Sequence, residues 1–285
     1  MFSKYKSNHW QIAYRCNPGK NFTLVQNPEW GWCADPFLVK YQGEVYLFAE
    51  IFLYSSERNG VVGYCKFEGE KFGEWKVTMD RPWHLSYPNV FVINDHLYMC
   101  PESYQLEEIA IYELQEFPDK WKKVNTIIQN KKCVDTTFLK WNNEIYMYTF
   151  EPLFRDFEGN LLLYKLETDA SVFVETISKD KRGARPAGKI IYVEGKHYRV
   201  GQISGKEYGE GLAFYEIKSV FPKYEEAEVA TLYPKHLGKK FQKFDGIHTY
   251  NRLDGIEVID LKKKKLIFRE QIARKRVRKV FTNKY

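Results

Sequence analysis

The stretch ADPFLVKYQGEVYLFAE (34–50) begins with a polar residue and a proline, continues through apolar residues, turns near Gly43, and returns in a β-rich run containing Tyr46. Two such runs on either side of a glycine turn predict a β-hairpin. Four later segments repeat this order, the last of them more weakly: SYPNVFVINDHLYMCPE (86–102), VDTTFLKWNNEIYMYTFE (134–151), ARPAGKIIYVEGKHYRVGQ (184–202) and IHTYNRLDGIEVIDL (247–261). The chain therefore contains five copies of one hairpin.

The copies recur at a nearly regular interval. Their equivalent opening residues are Asp35, Tyr87, Asp135, Arg185 and His248, at spacings of 52, 48, 50 and 63 residues. A period near 50 residues is typical of a four-stranded propeller blade. An open sandwich of unrelated hairpins is the alternative, and the regular period favours the propeller.

The segments between the hairpins supply two outer strands for most blades. The candidates are VVGYCKF and EWKVT, EIAIYEL and WKKVNTII, LLLYKLE and SVFVE, and GLAFYEI and EVATLY. The fifth blade lacks a full set downstream, so we expect HWQIAYR (9–15) to close the ring and remove exposed sheet edges. The sequence thus predicts an all-β fold, a five-bladed β-propeller over residues 1–261, followed by a short basic tail over 262–285.

Composition agrees with one large β domain. Aromatic residues make up 17% of the 285 residues and hydrophobic residues 44%, enough for a sizeable core rich in strand-forming side chains. The five cysteines are scattered and never form C-x-x-C, which favours neither a disulfide framework nor a zinc site. The N-terminus lacks an apolar signal-peptide core and no apolar run is long enough to span a bilayer, so we expect a cytoplasmic protein.

The tail is strongly basic, with eleven Lys/Arg and one acid in residues 262–285, whereas the remaining body is mildly acidic. We expect the tail to begin as the last strand and continue as an amphipathic helix. Such a segment favours contact with an anionic membrane surface, which would place the protein at the inner face of the membrane. A solvated helix packed on the propeller and a nucleic-acid or nuclear-targeting patch are the alternatives, and we expect no nucleic-acid partner.

The propeller topology places the five opening residues in a ring at one mouth of the central channel. Hairpin geometry adds a second layer, because the strand leaving Asp35 and turning near Gly43 must return Glu50 to the same end. The like positions in the next three copies are assigned to Glu102, Glu151 and Gln202.

This mouth is predicted to be a catalytic site. Crowded carboxylates raise one another's pKa values, and one protonated acid beside one ionised base is what breaking or forming a glycosidic bond requires. The candidate catalytic residues are Asp35, Asp135, Glu102 and Glu50, and the candidate substrate-binding residues are Tyr87, Arg185, His248, Glu151, Gln202, His84, Trp32 and Ser86. Trp32 belongs to a set of aromatic residues near the ring, with Trp30, Trp83, Tyr87 and Tyr250, that suits stacking on sugar faces.

Each candidate also has a structural interpretation. Asp35 before a proline can hydrogen-bond its own turn. Glu50 and Glu102 can be ion-pair partners of Arg185. Tyr87 can belong to the core and His248 can be a buried histidine with satisfied hydrogen bonds. Their position in the ring, rather than their residue type, favours function for the two aspartates.

The basic residues near the ring leave room for a phosphorylated donor. Arg185, Arg182, His84 and His248 are suited to a diphosphate, although pairing with the nearby carboxylates is an equal alternative. The sequence contains no G-x-x-x-x-G-K-[ST] loop, no G-x-G-x-x-G and no D-x-D. We therefore expect no metal site and no required cofactor, with a nucleotide sugar as a candidate substrate.

The pattern ADPF-x9-LFxE resembles the first blade of the five-bladed enzymes of glycoside hydrolase family 43. In that family the blade-one Asp is the general base, so the resemblance implies that role for Asp35. The family's blade-two Asp falls here on Tyr87 and its blade-three Glu on Asp135. Both departures argue against hydrolysis of the family's usual pentose substrates.

A closer resemblance is to the N-terminal-domain family of the glucosamine inositolphosphorylceramide transferases. The segments WCADPFLV, PWHLSYPNVF, MCPES, VDTTFL and ARPAGKI look like its blade motifs in the same order, over roughly residues 30 to 260. The resemblance implies sugar transfer onto a membrane-linked or polysaccharide acceptor.

Three functions follow from these patterns. The first is a glycosyltransferase of cell-surface polysaccharide or glycolipid biosynthesis, such as lipopolysaccharide or capsule, with a carbohydrate or sugar-phosphate donor and a glycan or glycolipid acceptor. The second is a glycoside hydrolase or phosphorylase using the same carboxylates. The third is a non-catalytic glycan-binding propeller. The ionisable ring favours an enzyme.

Overall fold

A computed structural model describes residues 6–17, 19, 21–54, 60–155, 157–167, 170–178 and 182–266. These residues form five antiparallel sheets of four or five strands each, which confirms the predicted five-bladed propeller. Among the described residues, helix is confined to three short 3₁₀ segments, Tyr104–Leu106, Pro234–Leu237 and Lys239–Phe241. Within the described residues, none of the helices has the length and apolar character needed to cross a bilayer.

The strands follow the blade order of the sequence. Two strands precede the first blade: β1 (Lys6–Cys16) and β2 (Thr23–Leu24). Blade one contains β3 (Gly31–Tyr41), β4 (Glu44–Leu53), β5 (Gly60–Lys66) and β6 (Lys76–Met79). Blade two contains β7 (Ser86–Ile93), β8 (His96–Glu102), β9 (Ile109–Glu116) and β10 (Lys120–Ile128).

Blade three contains β11 (Val134–Trp141), β12 (Glu144–Arg155), β13 (Glu158–Leu166) and β14 (Ser171–Ser178). In blade four the inner strand is divided into β15 (Arg182–Pro186) and β16 (Ile191–Val193), both paired with β17 (Lys196–Ile203), and β18 (Gly211–Ser219) and β19 (Glu225–Leu232) complete the sheet. The last strands are β20 (Tyr250–Leu253) and β21 (Ile256–Leu266).

The fifth blade joins the first and last of the described strands. Its sheet has the order β2-β1-β21-β20, and β1 runs antiparallel to β21 from Lys6 opposite Leu266 to Cys16 opposite Ile256. The first residues of the basic tail, 262–266, belong to β21, and the helix predicted for the rest of the tail lies outside the described residues.

All five inner hairpins share the same turn, which explains why the weak fifth copy still belongs to the repeat. The two residues at each turn both have positive φ, between 47° and 80°, in the pairs Gln42-Gly43, Asn94-Asp95, Asn142-Asn143, Glu194-Gly195 and Asp254-Gly255. Two left-handed residues are required by the type I′ turn, whose twist matches that of antiparallel strands. Gly, Asn and Asp at most of these positions adopt that conformation readily.

The inner strands of blades one to three carry the same irregularity near their start. Asp35, Tyr87 and Asp135 have φ of 50°, 42° and 53°, and each lies where the pairing with the next strand shifts register. A left-handed residue at such a bulge re-aims its side chain, and non-glycine residues hold this conformation at the expense of stability. The bulge therefore fixes how the ring residues point.

The channel between the blades is closed by hydrogen bonds of Tyr87, which is fully buried. Its hydroxyl contacts Thr137 Oγ1 at 2.9 Å and Gly188 O at 3.2 Å, and accepts a hydrogen bond from Gly188 N at 2.6 Å. Gly188 has φ of 133°, and a side chain there would lie 2.0 Å from Tyr250 O. The two ends of the propeller axis are thus separated by a packed layer.

Candidate active site

A cavity of about 540 Å³ opens at the end of the propeller where the inner strands begin. We call it the mouth cavity. Eight of the predicted site residues line it: Asp35, Glu50, Glu102, Arg185, His248, His84, Trp32 and Ser86. Residues that were not predicted for the site also line it, among them Trp10, Phe52 and Tyr208. The ring and its second layer therefore meet around one cavity.

Tyr87 does not line this cavity, although it occupies a ring position. Its ring packs edge-on against Phe37 at 4.7 Å, and its hydroxyl is used by Thr137 and Gly188. The prediction that Tyr87 binds substrate is revised, because its side chain points along the channel and closes it. Its backbone N–H does serve the site, since it donates to Asp35 Oδ2 at 3.2 Å.

Glu151 also lies away from the cavity. Glu50 is paired with Ala34, and Glu102 is paired with Ser86. In blade three the residue equivalent to Ala34 and Ser86 is Val134, and its partner is Phe150. Successive side chains of a strand alternate between faces, so Glu151 points to the other side of β12. There it lies 3.2 Å from Lys131 Nζ and accepts a hydrogen bond from Asn160. Its alignment with Glu50 and Glu102 was shifted by one residue, and Glu151 does not line the mouth cavity.

Asp135 and Gln202 lie behind the cavity wall. Asp135 is 2% exposed, forms an ion pair with the Arg185 guanidinium, and accepts a hydrogen bond from Gln202 Nε2 at 3.1 Å. Gln202 is equally buried and also donates to Pro186 O. Asp135 therefore holds Arg185, and Gln202 holds Asp135. Neither residue lines the mouth cavity, so the prediction of Asp135 as a catalytic carboxylate and of Gln202 as a substrate ligand is revised.

Asp35 lies in the cavity with a threonine and a histidine beside its carboxylate. Thr249 Oγ1 donates to its Oδ1 at 2.8 Å, and His248 Nε2 lies 3.7 Å from the same oxygen. Burial raises the pKa of Asp35 to about 6, although the charge of His248 and the hydrogen bond from Thr249 oppose the shift. A carboxylate with this pKa is ionised but still basic near neutral pH.

His248 is held by Asp260, a residue that was not among the predicted site residues. Asp260 is fully buried and lies 2.5 Å from His248 Nδ1. Its carboxylate also accepts the backbone N–H groups of Asp35, His248 and Thr249. Burial opposes the charged form of His248, but the carboxylates of Asp260 and Asp35 outweigh it and raise the pKa of the imidazole.

Glu50 and Glu102 are carboxyl groups whose surroundings raise their pKa values. Burial raises the pKa of Glu50 well above its usual range, and the charges of Asp35 and Glu102 raise it further. Burial and the charge of Asp135 do the same to the pKa of Glu102, although Arg185 opposes the shift. The cavity therefore combines two carboxyl groups of raised pKa with Asp35, whose pKa is about 6.

His84 is close to Glu50, with 3.7 Å between His84 Nε2 and Glu50 Oε1. Burial lowers the pKa of His84 to about 4, so the imidazole is neutral near pH 7. His84 can thus offer a hydrogen bond to a ligand, but it brings no positive charge.

Arg185 is the cation of the cavity wall. Its guanidinium pairs with Asp135 on one side, and its Nη2 lies 3.7 Å from Glu102 Oε2. It also lies over the ring of Tyr208, 5.1 Å from the ring centroid. A guanidinium fixed in this way keeps a defined orientation toward the cavity.

Aromatic side chains form much of the remaining wall. Trp32 stacks on Phe52 with 4.7 Å between ring centroids, and Trp10 stacks on His248 at 3.8 Å. The indole N–H groups of Trp32 and Trp83 are buried and have no hydrogen-bond partner within the described part of the chain. Flat aromatic faces and unused donors suit the faces and hydroxyls of a sugar.

Asp35, His248 and Asp260 offer ligand atoms within 4.8 Å of one another, the spacing of a metal site. All of the Asp260 oxygens are already used by N–H groups and by His248 Nδ1. A cation here would have to replace the contact between His248 and Asp260. The expectation of no metal site stays a prediction.

The burial of Glu50 predicts an effect on stability. The pKa of Glu50 is raised in the folded state, so Glu50 loses its proton at a lower pH in the unfolded chain than in the folded protein. As the pH rises, ionisation of Glu50 in the unfolded chain therefore favours unfolding. We expect Glu50→Gln to raise the free energy of unfolding at pH 8 by on the order of 1–3 kcal/mol, the range for a buried polar group without its partner. The gain should shrink at pH 4.5, as measured by urea denaturation.

Glu44→Gln is the matched control, since Glu44 is exposed and pairs with Lys66 at 3.0 Å. It should change stability by less than about 0.5 kcal/mol at both pH values. Equal stability of Glu50→Gln and the unchanged protein at pH 8 would contradict a raised pKa of Glu50 in the folded protein.

A family model places this molecule among known proteins. The model described as the N-terminal region of glucosamine inositolphosphorylceramide transferase 1 matches residues 2–267. The chain belongs to this family. The resemblance of its blade motifs to the transferase N-terminal domain is thereby confirmed over nearly the whole propeller.

Two curated members of the transferase family are similar in sequence. Glucosamine inositolphosphorylceramide transferase 1 of Arabidopsis thaliana is 29% identical over 236 residues, covering 79% of this chain and 30% of that protein. The protein of the same name from Oryza sativa subsp. indica is 27% identical over 242 residues, covering 80% of this chain and 32% of that protein. This family member thus spans about a third of the length of the curated relatives it matches.

Solved structures confirm the likeness of the fold to glycoside hydrolase family 43. CoXyl43, a β-xylosidase/α-arabinofuranosidase from a compost microbial metagenome, aligns with a TM-score of 0.57 at 12% identity, covering 88% of this chain and 94% of that one. RS223-β-xylosidase aligns with a TM-score of 0.57 at 14% identity, covering 84% and 96%. At these identities the likeness concerns the fold of the transferase-family propeller.

Proposed function

We propose that the propeller is a glycosyltransferase, which moves a sugar from a phosphate-bearing donor to a hydroxyl group of a glycan or glycolipid acceptor. The observation that carries the proposal is the combination of an ionisable Asp35, two carboxyl groups of raised pKa, Glu50 and Glu102, and the fixed cation Arg185 on one cavity wall. The curated relatives are named as transferases.

In this proposal Asp35 is the general base. It accepts the proton of the acceptor hydroxyl as that oxygen attacks the anomeric carbon of the donor. His248, held by Asp260, lies beside Asp35 and stabilises its ionised form before the proton arrives. Asp260 and His248 act as positioning residues, because His248 lies beside the Asp35 carboxylate and Asp260 holds His248 there.

Arg185 holds the departing phosphate. A guanidinium donates two parallel hydrogen bonds to phosphate oxygens and balances the negative charge that develops as the bond to the sugar breaks. The donor is then a substrate, such as a nucleotide sugar, and no separate cofactor is required. His84 and the indole N–H groups of Trp32 and Trp83 supply neutral hydrogen bonds.

Glu50 and Glu102 donate hydrogen bonds to sugar hydroxyls in their protonated state. Neutral acids beside a phosphate avoid the repulsion that two more carboxylates would cause. The aromatic pair Trp32 and Phe52 offers a flat face on which a sugar ring stacks.

The acceptor is inferred from the relatives. Their names pair the sugar glucosamine with the lipid inositolphosphorylceramide. We infer an acceptor of the same broad class, a glycolipid or a cell-surface polysaccharide. Contact of residues 262–285 with an anionic membrane would bring such an acceptor to the mouth cavity, and we propose it together with a location at the inner face of the membrane.

A hydrolase is the second candidate, because a protonated Glu102 and an ionised Asp35 are also the pair that hydrolysis of a glycosidic bond needs. The fold likeness to glycoside hydrolase family 43 adds to it. Hydrolysis would use water in place of the acceptor hydroxyl at Asp35.

One experiment separates the two candidates. The protein is incubated with a panel of nucleotide sugars and aryl glycosides, with and without an inositol-phosphate glycolipid, and the products are identified by mass spectrometry. Sugar attached to the acceptor supports transfer, and free sugar or released aryl group supports hydrolysis. Binding of a glycan without any turnover would contradict both and favour the binding propeller.

The pKa of Asp35 predicts the acid side of the pH profile. Asp35 must be ionised to accept a proton, so kcat/KM for transfer should fall about tenfold per pH unit below about 6 and level off above it. Initial rates from pH 4.5 to 8 measure this, with circular dichroism to check folding at each pH. A flat profile between pH 5 and 7 would remove Asp35 from the role of base.

A further inference from the structure

A second cavity, of about 370 Å³, lies at the other end of the propeller axis. We call it the distal cavity. It lies where the inner strands of blades two and three end, beside the start of blade four, and its wall includes Val92, Phe138, Ile145 and Ile190. The hydrogen bonds of Tyr87 with Thr137 and Gly188 separate it from the mouth cavity. Its volume is in the range of small-molecule sites, roughly 300–1,000 Å³.

The wall of the distal cavity is mainly apolar and partly open to solvent. Val92, Ile93 and Ile145 are 37%, 49% and 44% exposed. Phe91 and Phe138 meet edge to face at 5.5 Å between ring centroids deeper in the wall. Apolar side chains that stay exposed around a concavity mark a binding site more often than isolated ones do.

Lys189 brings a positive charge into this apolar surface. Its Nζ donates a hydrogen bond to Leu38 O at 2.8 Å across the axis. No carboxylate among the described residues forms an ion pair with it, and burial alone lowers the pKa of the amine to about 8. Among the described residues, the other charged side chain that lines the cavity is also a lysine, the exposed Lys140, and no acidic side chain lines it.

We propose that the distal cavity binds a single-chain aliphatic carboxylate, with its chain against the apolar wall and its carboxylate on the Lys189 ammonium. An ammonium group has three N–H donors, and Leu38 O uses one of them. A carboxylate supplies the missing counter-charge, and the chain covers Val92, Ile93 and Ile145. This site is independent of the transfer chemistry, since none of its lining residues lines the mouth cavity.

The test uses decanoate as the probe and isothermal titration calorimetry as the measurement. Decan-1-ol has the same chain without the charge, so it should bind the unchanged protein at least about tenfold more weakly, as expected when a charge-assisted hydrogen bond is lost. Decanoate affinity should also fall above pH 8, because the Lys189 amine then loses its proton. Neither comparison requires a variant.

Lys189→Met should reduce decanoate affinity on the order of tenfold to a hundredfold and bring it close to that of decan-1-ol. Lys235→Met is the matched control and should change the affinity less than about threefold, because Lys235 is exposed and does not line the distal cavity. Ile145→Gln, at an exposed wall position, should weaken both probes equally. Equal affinity of decanoate and decan-1-ol, an unchanged affinity in Lys189→Met, or no binding of decanoate would overturn the proposal.

Discussion

Asp35→Asn is expected to lower the rate of sugar transfer about 1,000-fold, the middle of the range for loss of a positioned general base. The amide cannot accept the proton of the acceptor hydroxyl. The fold should remain, because Asn tolerates the left-handed φ of 50° at this position as well as Asp does. Its amide oxygen can accept from Tyr87 N, and its NH₂ group can donate to Thr249 Oγ1 once that hydroxyl turns to accept.

The measurement is kcat/KM of the purified variant with the donor and acceptor found in the panel, together with its pH profile. The acid limb near pH 6 should disappear along with the activity. Asp254→Asn is the matched control, since it makes the same exchange at a left-handed residue, with φ of 47°, at an exposed hairpin turn. Turnover in Asp35→Asn within a few fold of the Asp254→Asn value would show that another group accepts the proton.

The fold was predictable because the repeat is encoded in turn residues and apolar runs. The interval near 50 residues, together with Gly, Asn and Asp at the hairpin turns, identifies the blades even where the apolar runs are weak. Blade five shows this, since Asp254 and Gly255 form the same left-handed turn as the stronger copies. The assignment of β1 to the last blade depended on counting strands, because one sheet would otherwise be incomplete.

The site was predictable in outline but not in register. The acid lies four positions after the shared tyrosine in blades one and two, as in Tyr46 and Glu50 or Tyr98 and Glu102. The same count from Tyr146 ends at Phe150, which is the residue that faces inward. Matching the next glutamate by its letter rather than by this count placed Glu151 on the wrong face of the strand.

The residues of the candidate site that lie outside the hairpin openings were harder to predict from the sequence. Tyr208 lies in a loop between strands, and Trp10 lies on the closing strand, so neither occupies a repeat position. Asp260 had one local signal, a charged residue inside the apolar run IEVIDL. A carboxylate in a buried strand needs several hydrogen bonds, and Asp260 obtains them from three backbone N–H groups and His248. That arrangement depends on three-dimensional packing, which the sequence pattern does not contain.

Arg185→Met is expected to lower kcat/KM for a phosphorylated donor about 100- to 1,000-fold, as for loss of one preorganised charge-stabilising group. It should also destabilise the fold by roughly 3–5 kcal/mol, because Asp135 would remain buried with its ion-pair partner removed. Loss of activity in this variant alone would therefore not distinguish a damaged fold from a missing phosphate ligand.

The double variant Arg185→Met, Asp135→Asn separates these two effects. Removing both charges leaves a neutral amide that still accepts from Gln202 Nε2, so most of the lost stability should return while transfer stays low. Arg182→Met is the matched control, since Arg182 pairs with Glu228 at the surface and should change stability by less than about 1 kcal/mol and transfer little. Urea denaturation and donor kinetics measure the two quantities separately. If the double variant regained transfer together with stability, Arg185 would be a structural residue, and the donor phosphate would have to be bound elsewhere in the mouth cavity.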